Sequence, residues 1–145
     1  TDLAVASGIA AERGITVNRY LTTNVDDIYA LGDCAQVEGL VLPFVMPLMN
    51  AARALAKTLV GQPTTVTYPA MPVVVKTPAC PLIVSPPAAN LQGEWEIEAT
   101  GPDIRALFYT PTRQLGGMVL TGAKVGEKTM WTKQLPPILG ENFAD

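Results

Sequence analysis

The sequence predicts an α/β segment followed by a small α+β unit built on an antiparallel sheet. The first half contains short apolar strands and then a helical repeat of apolar residues. The second half contains several short strand patterns followed by one further helical pattern. Between the halves, prolines crowd the chain after Gly61, so we place a boundary near residue 68 and expect domains at 1–68 and 69–145.

The composition indicates a globular protein and excludes several kinds of site. Apolar residues make up 48% of the 145 residues, which is enough to form a core. The net charge of −3 argues against a nucleic-acid-binding surface spread over the whole chain. Because the chain has no histidine, Ser-His, Cys-His and histidine-metal mechanisms are excluded within it.

The cysteine spacing and the hydropathy pattern predict a soluble, cytoplasmic protein. Cys34 and Cys80 fit neither a CxxC motif nor a zinc or iron–sulfur pattern, and we expect free thiols in a reducing compartment. No basic segment followed by an apolar one opens the chain, so no secretory signal is expected. The longest apolar stretch, 39–52, contains two prolines and is shorter than the roughly 20 residues of a membrane span.

A helical turn and two strands are predicted before the first long helix. The helical turn covers residues 3–9. Period-two alternation indicates a half-buried strand at Ile15–Leu21. After a turn, Ile28–Leu31 is expected to form a short apolar strand that ends in Gly32-Asp33.

The helix that follows has clear signals at both ends. Pro47 suits the first helical position, and Gly61 is placed to close the helix in the left-handed conformation. The apolar residues that recur at helical spacing, and are therefore expected to be buried, are Leu48, Ala51, Ala52, Leu55 and Leu59.

Five strands and a closing helix are predicted in the second half. The strands are Met71–Lys76, Leu82–Ser85, Glu94–Ala99, Ile104–Tyr109 and Leu115–Leu120. Alternation in the third of these strands predicts that Trp95, Ile97 and Ala99 point inward and that the three glutamates are solvated. The closing helix is expected from Lys124 to Leu135, where two prolines stop it.

The unit with recognisable chemistry is the strand that ends in Gly32-Asp33 and leads to a helix N-terminus. Gly32 has no Cβ and lets a ligand approach the backbone, and the Asp33 carboxylate is an acceptor suited to a sugar hydroxyl. Free N–H groups at the start of the helix stabilise negative charge on a bound ring or phosphate. The plainer interpretation of Asp33 is a turn or helix-capping carboxylate.

Four segments carry a resemblance to a known family. The pattern T-x5-Y-A-x-G-D at 23–33 resembles the second FAD-binding motif of flavoprotein reductases that have two dinucleotide-binding folds. The segments P-F-V-M-P-L at 43–48, V-K-T-P-A-C-P at 75–81 and K-Q-L-P at 133–136 are similar to the rubredoxin-NAD(+) reductases of the FAD-dependent pyridine nucleotide oxidoreductase family. The resemblance covers nearly the whole chain and implies the C-terminal third of such an enzyme.

The resemblance implies a fold and site residues. Residues 1–68 would be the last part of an FAD-binding Rossmann-like domain, and 69–145 a small interface domain that docks rubredoxin. Asp33 would bind the ribityl chain of FAD, and Gly32 would let the cofactor approach the backbone. The backbone of Val45 and Met46 would face the pyrimidine edge of the ring, and Lys76 would lie at the flavin edge.

The chain also lacks parts of such an enzyme. It contains no G-x-G-x-x-G, so the FAD pyrophosphate site and the NAD(P)H domain are missing from it. We therefore expect an oxidoreductase only in the longer protein and an inactive chain on its own, with no catalytic residue and no metal ligand in these 145 residues. A small buried thiol is expected at Cys34, and Trp95 and Trp131 are expected to anchor the core.

The implied partner is rubredoxin or a similar small acidic electron carrier. The glutamates of the 94–99 strand would repel such a partner, whereas residues 113–133 carry four basic residues and one acidic residue and suit it better. Two alternatives stay open: a related reductase that serves a ferredoxin or a flavorubredoxin, and a non-catalytic module that never binds FAD.

Overall fold

The computed structural model describes residues 1–140 and divides them into two units. The first unit consists of Thr1–Tyr68 together with Leu139 and Gly140, and the second of Pro69–Ile138. The first unit has a two-stranded parallel sheet and a long helix, and the second has a five-stranded antiparallel sheet. The predicted fold class, an α/β start followed by a small α+β domain, is confirmed.

The first unit contains two short strands and two helices. Helix α1 spans Asp2–Ala6, strand β1 Ile15–Val17, strand β2 Ala35–Val37 and helix α2 Val45–Leu59. Strands β1 and β2 pair in parallel with Ile15 opposite Ala35, as in an α/β sheet. The end of the unit is closed by Leu139, which exchanges backbone hydrogen bonds of 2.9 and 3.0 Å with Tyr68.

The strand predicted at Ile28–Leu31 does not form, and this prediction was wrong. Only Tyr29 makes an isolated bridge, with Thr22, so this segment folds back as a short loop. The strand of this region is β2, which follows Gly32-Asp33 instead of preceding it. Strand β2 pairs with β1, and the absence of a side chain at Gly14 permits their close approach. An added Cβ at Gly14 would lie 2.9 Å from the Cys34 carbonyl oxygen.

Strand β1 ends at Val17, four residues earlier than predicted. The Asn18 side chain stabilises a turn at this point, because its Oδ1 accepts hydrogen bonds from the amides of Tyr20 (2.9 Å) and Thr22 (3.2 Å). Leu21 then adopts a left-handed φ of 64° and is fully buried. The alternation seen in the sequence therefore belongs to a strand and a turn, not to one long strand.

Helix α2 agrees with the prediction at its end and differs at its start and on its buried face. It begins at Val45, two residues before Pro47, and Gly61 closes it with a φ of +84° as expected. The carbonyls of its last turn accept the amides of Gly61 and the following residue. Leu48 and Leu59 are 37% and 62% exposed, so the predicted stripe is only partly buried. The buried side chains are Pro47, Ala51, Ala54 and Leu55.

The second unit is built from five antiparallel strands. They are β3 Val73–Val75, β4 Leu82–Ser85, β5 Glu94–Thr100, β6 Asp103–Tyr109 and β7 Leu115–Thr121. Their order in the sheet is β3-β4-β7-β6-β5, which makes β3 and β5 the edge strands. All five strand predictions are confirmed, with β3 shorter at both ends.

The closing helix is shorter than the predicted span from Lys124 to Leu135. It consists of a 3-10 helix, Gly122–Glu127, and one α-helical segment, α3, at Lys128–Thr132. Two glycines in the first part disfavour the α conformation, which accounts for the tighter winding there.

The main buried cluster of the second unit lies on one face of the sheet, while Ala106 and Phe108 are buried on the other. Its buried members are Ile83, Leu107, Leu115, Met118, Leu120 and Leu135, with Trp131 packed against them. In the register of β5 and β6, Glu96 lies opposite Leu107 and therefore shares this face.

The inward orientation predicted for the apolar residues of β5 was wrong. Trp95 and Ile97 lie on the opposite face of the sheet from the core and are 40% and 67% exposed, and Ala99 is exposed as well. The three glutamates of β5 are exposed, as predicted, although they lie on the core face, because β5 is an edge strand and neighbouring cations pair with Glu96 and Glu98.

Candidate functional site

The Gly-Asp turn and the start of helix α2 adjoin each other in the first unit. Gly32 has a φ of +81°, and an added Cβ would lie 3.3 Å from Leu48 Cδ1 of the helix. The Gly32 carbonyl accepts the Ala35 amide at 3.0 Å and closes a tight turn that enters β2. Glycine is therefore favoured here by its backbone conformation, and Asp33 follows it in the same turn.

Asp33 has an exposed side chain whose carboxylate has no hydrogen-bond or ion-pair partner within residues 1–140. It does not cap a helix, because Phe44 occupies the N-cap position of α2 and provides no side-chain hydrogen bond. The helix-capping interpretation of Asp33 is thus wrong. An exposed carboxylate of this kind is free to accept hydrogen bonds from the hydroxyls of a bound molecule.

The N-terminus of α2 presents two amide donors without a capping group. The Phe44 amide donates to the Leu42 carbonyl at 2.9 Å, and Pro47 has no N–H. The amides of Val45 and Met46 remain, on residues that are 68% and 51% exposed. Together with the positive end of the helix dipole, they form a place where negative charge on a planar ring is stabilised.

These groups fit part of a flavin and not all of it. The Asp33 carboxylate matches a polyol, and the two amides match the electron-rich edge of an isoalloxazine ring. A cavity of about 10 Å³ behind Gly32 is too small for any ligand, so a bound molecule would have to lie on the exposed side of the turn. No glycine-rich pyrophosphate cradle is present in the sequence.

Four of the five predicted site residues lie in the first unit, and Lys76 lies in the second. Lys76 follows β3 directly, is exposed, and makes no ion pair within residues 1–140. Cys34, predicted to be buried, is exposed because it lies in the turn between Gly32 and β2, where its Sγ contacts the Leu31 carbonyl at 3.5 Å. Both cysteines are free thiols.

Candidate metal sites and membrane-spanning helices are both absent from the part of the chain that the structure describes. No group of three or more acidic, cysteine or histidine side chains is arranged to hold a metal ion. No helix there is long and apolar enough to cross a membrane.

The second unit contains a network of ion pairs around Trp131. Arg105 pairs with Glu98 and, at 3.1 Å, with Glu127, and Lys124 Nζ lies 2.8 Å from Glu98. The Trp131 indole N–H donates to Glu127 at 2.8 Å. This indole hydrogen bond, and then the Arg105 guanidinium, lower the pKa of Glu127, and Lys124 and Arg105 lower that of Glu98.

Ion pairs reduce the number of unpaired basic residues in the predicted basic region at 113–133. Arg113 pairs with Glu96 and stacks on Tyr109, with its guanidinium carbon 4.6 Å from the ring centroid. Lys124 is held by the network around Trp131. Only Lys128 and Lys133 are left without an ion pair among the described residues of this region.

A surface cleft in the second unit was not predicted from the sequence. The cleft has a volume of about 420 Å³ and forms where the segment after Tyr68 meets α3 and the chain that follows it. Residues about 60 positions apart line it, and no local pattern indicates such a contact.

Two family models match the chain. Residues 1–58 match the pyridine nucleotide-disulphide oxidoreductases, and residues 65–135 match a domain described as the rubredoxin binding C-terminal domain. The two matches fall on the two units of the structure.

Curated relatives give the same assignment. The rubredoxin-NAD(+) reductase of Alcanivorax borkumensis is 51% identical over 137 residues, covering 94% of this chain and 36% of the relative. That of Acinetobacter baylyi is 49% identical over 138 residues, covering 95% and 35%. The nitric oxide reductase FlRd-NAD(+) reductase of Vibrio vulnificus is 40% identical over 125 residues, covering 86% and 32%. The chain therefore spans about a third of the length of these relatives.

A solved structure supports the fold. The NADH:rubredoxin oxidoreductase of Clostridium acetobutylicum superposes with a TM-score of 0.75 at 19% identity, covering 93% of this chain and 35% of that one. Residues 1–58 therefore match the pyridine nucleotide-disulphide oxidoreductases and residues 65–135 the rubredoxin binding C-terminal domain, and the chain is a homologue of the rubredoxin-NAD(+) reductases over 94–95% of its length.

Proposed function

We propose that the chain is the C-terminal part of an FAD-dependent NAD(P)H:rubredoxin reductase. Residues 1–68 hold the ribityl chain and the ring edge of FAD, and 69–138 form the domain that docks rubredoxin. The flavin, when bound, supplies the chemistry that links a two-electron donor to a one-electron acceptor. The residues of this chain bind and orient it, and the NAD(P)H site lies in the part of the enzyme that this chain does not contain.

The observation that carries the proposal is that the Gly32-Asp33 turn adjoins the start of α2 through the approach of Gly32 to Leu48. Asp33 contributes an exposed carboxylate without a partner within residues 1–140, and the helix presents the free amides of Val45 and Met46. The carboxylate would accept hydrogen bonds from the ribityl hydroxyls. The amides would stabilise negative charge on the reduced ring.

Lys76 is proposed to lie at the edge of the flavin. A cation there would favour the added electrons and attract an acidic partner. The two free thiols suit a reducing compartment, so we place the enzyme in the cytoplasm.

The identities among the relatives favour rubredoxin as the acceptor over a flavorubredoxin. The rubredoxin-NAD(+) reductases are 49–51% identical to the chain, and the FlRd-NAD(+) reductase of Vibrio vulnificus is 40% identical.

The proposal is tested by replacing Asp33→Ala in the longer reductase. Losing hydrogen bonds to a charged acceptor costs about 1–3 kcal/mol, so FAD affinity should fall about tenfold or more. Flavin content after dialysis and the dissociation constant from fluorescence titration measure this.

Asp26→Ala is the matched control, because Asp26 is an exposed carboxylate of the same unit outside the predicted site. Its FAD affinity should stay at the wild-type value. An Asp33→Ala enzyme that keeps wild-type flavin affinity would overturn the proposed role of the motif.

A further inference from the structure

We infer that Gln36 is a positioning residue that fixes the backbone around the Asp33 carboxylate. Gln36 lies in β2, three residues after Asp33. It is 5% exposed, and within residues 1–140 it is the one buried side chain that carries an amide or a charge. The inference rests on the proposed role of Asp33 in binding FAD, and it adds the group that holds this carboxylate in place.

The Gln36 side chain is hydrogen-bonded through both ends of its amide group to the loop formed by residues 12–14. Its Oε1 accepts hydrogen bonds from the amides of Arg13 (3.0 Å) and Gly14 (3.3 Å), and its Nε2 donates one to Glu12 Oε2 (2.8 Å). These partners fit one orientation of the side-chain amide, because a backbone amide donates and a carboxylate accepts. A single buried side chain therefore joins β2 to a loop that lies 22–24 positions earlier in the chain.

The chain that leaves this loop holds the turn that contains Asp33. The amide of Ile15, which directly follows the loop, donates to the Cys34 carbonyl at 2.7 Å. On the other side of Asp33, the Ala35 amide donates to the Gly32 carbonyl at 3.0 Å. The residues on both sides of Asp33 are thus fixed by hydrogen bonds, and one of these bonds comes from the residue next to the loop.

No side chain separates the loop from β2 where Gln36 binds it. A Cβ added at Gly14 would lie 2.9 Å from the Cys34 carbonyl oxygen and 3.1 Å from the Gln36 amide nitrogen. Without the Gln36 side chain, the amides of Arg13 and Gly14 would lose their acceptor, and an unpaired amide at the buried Gly14 is costly. We expect the loop then to move away from β2 and to weaken the hydrogen bond to the Cys34 carbonyl.

Gln36 acts on the carboxylate and not on the cofactor. Its side chain is buried, and its amide group is occupied by the loop. The Asp33 side chain is exposed and has no hydrogen-bond or ion-pair partner within residues 1–140, so the backbone that carries it sets its position. A carboxylate on an ordered turn binds a ligand more tightly than one on a turn that has to be ordered on binding. Gln36 should therefore raise the affinity for FAD without contacting it.

The test is a double-mutant cycle on FAD affinity in the longer reductase, prepared without flavin. Gln36→Leu nearly keeps the size of the side chain and removes its hydrogen bonds, and it should raise the dissociation constant of FAD about three- to tenfold. In the Asp33→Ala background the same substitution should leave the dissociation constant unchanged, because the two residues act as one unit. A role of Gln36 only in the stability of the fold would raise the dissociation constant in both backgrounds.

Three further variants show whether the hydrogen bonds carry the effect. Gln36→Glu keeps an acceptor for the two backbone amides but places a second carboxylate against Glu12, so it should weaken FAD binding as well. Glu12→Gln keeps an acceptor for the Gln36 amide and should bind FAD like the wild type. Gln62→Leu makes the same change at an exposed glutamine of the first unit, and this matched control should also bind like the wild type.

Hydrogen exchange in the flavin-free reductase measures the turn without the cofactor. In Gln36→Leu the amides of Ile15 and Ala35 should exchange faster than in the wild type, because the hydrogen bonds that protect them open more often. The amides that pair β6 with β7 in the second unit should exchange at the wild-type rate.

The outcomes separate this inference from the proposed function. If Asp33→Ala alone leaves FAD affinity at the wild-type value, the proposed function is wrong and the inference falls with it. If Asp33→Ala weakens binding and Gln36→Leu does not, or weakens it equally in both backgrounds, the role of Asp33 stands and that of Gln36 is overturned. Unchanged exchange at Ile15 and Ala35 would overturn it too. If Gln36→Leu fails to fold, the cycle with Gln36→Glu decides by the same criterion.

Discussion

The two units of the molecule differ in the size of the apolar side chains that they bury and in the number of large ones that they leave exposed. The second unit has strands of up to seven residues and one cluster of six buried apolar side chains. The first unit has two strands of three residues each, and many of its buried residues are alanines. Large apolar side chains of the first unit are open to solvent, with Leu3 82%, Val45 68% and Val60 73% exposed.

The two units also differ in the number of ion pairs that they contain. All the ion pairs found among residues 1–140 lie in the second unit. In the first unit the described polar contacts are mostly hydrogen bonds within turns and from side chains to the backbone. For example, the buried Gln36 side chain accepts hydrogen bonds from the amides of Arg13 (3.0 Å) and Gly14 (3.3 Å). A two-stranded sheet is only marginally stable by itself, and four of the buried apolar residues of the first unit are alanines, so we expect this unit to be the less stable of the two.

The largest effect is expected from removing the centre of the second core. Met118 is 0% exposed, and Met118→Ala should destabilise the second unit by about 2–5 kcal/mol through lost contacts and a cavity. Both tryptophans of the chain lie in this unit, so tryptophan fluorescence during urea unfolding follows it specifically.

Met130→Ala is the matched control for that experiment, because Met130 is 50% exposed in the same unit. It should change the urea midpoint very little. A Met118→Ala protein with a wild-type fluorescence midpoint would show that the second unit does not depend on its sheet core.

An intermediate effect is expected at the closest backbone approach in the first unit. In Gly14→Ala the new Cβ would meet the Cys34 carbonyl oxygen at 2.9 Å and two further backbone atoms of β2 at 3.1 Å. Backbone cannot move aside cheaply, so this unit should lose about 1–3 kcal/mol. Far-ultraviolet circular dichroism, dominated by α2, measures the loss, and the tryptophan signal should not move.

Gly126→Ala provides the comparison, because an added Cβ at Gly126 has open space around it. This change should leave both transitions close to those of the wild type. If Gly14→Ala shifted the tryptophan transition as much as the helix transition, the two units would have to unfold together, and the contrast between them would be lost.

The sequence predicted the second unit better than the first for a physical reason. Its hairpins are local, and alternation with nearby turns is enough to locate them, as at the turn of 110–113. In the first unit the parallel pairing of β1 and β2 depends on contacts between distant residues. The pattern at Ile28–Leu31 is therefore as apolar as a strand but has only an isolated bridge as a partner.

Prediction of the candidate site was limited in the same way, because contacts between distant residues cannot be recognised from a local pattern. Gly32 has a positive φ and Asp33 an exposed carboxylate, which are properties of single residues that a motif can indicate, and their role in binding FAD stays a prediction. The face of β5 and the cleft at α3 were not predictable in this way. They depend on which neighbour covers a strand and on the meeting of segments far apart in the chain.

The smallest loss of stability is expected from Glu127→Gln, and this loss should depend on pH. The amide keeps an acceptor for the Trp131 indole but removes the charge that faces Arg105 and Lys124. Partly exposed pairs of this kind contribute less than about 1 kcal/mol, so the loss of stability near neutral pH should be small. Urea unfolding followed by tryptophan fluorescence at a series of pH values measures it.

The sign of the pH effect follows from the pKa of the carboxyl. The folded protein holds the pKa of Glu127 below its ordinary value of 4.5, so the charged carboxylate stabilises the second unit above that pH. This contribution is lost as the pH falls through the lowered pKa, because the protonated acid no longer pairs with the two cations. The wild type and the variant should therefore converge in acid. A difference that stays constant from neutral to acidic pH would show that the carboxylate acts through its shape and not through its charge.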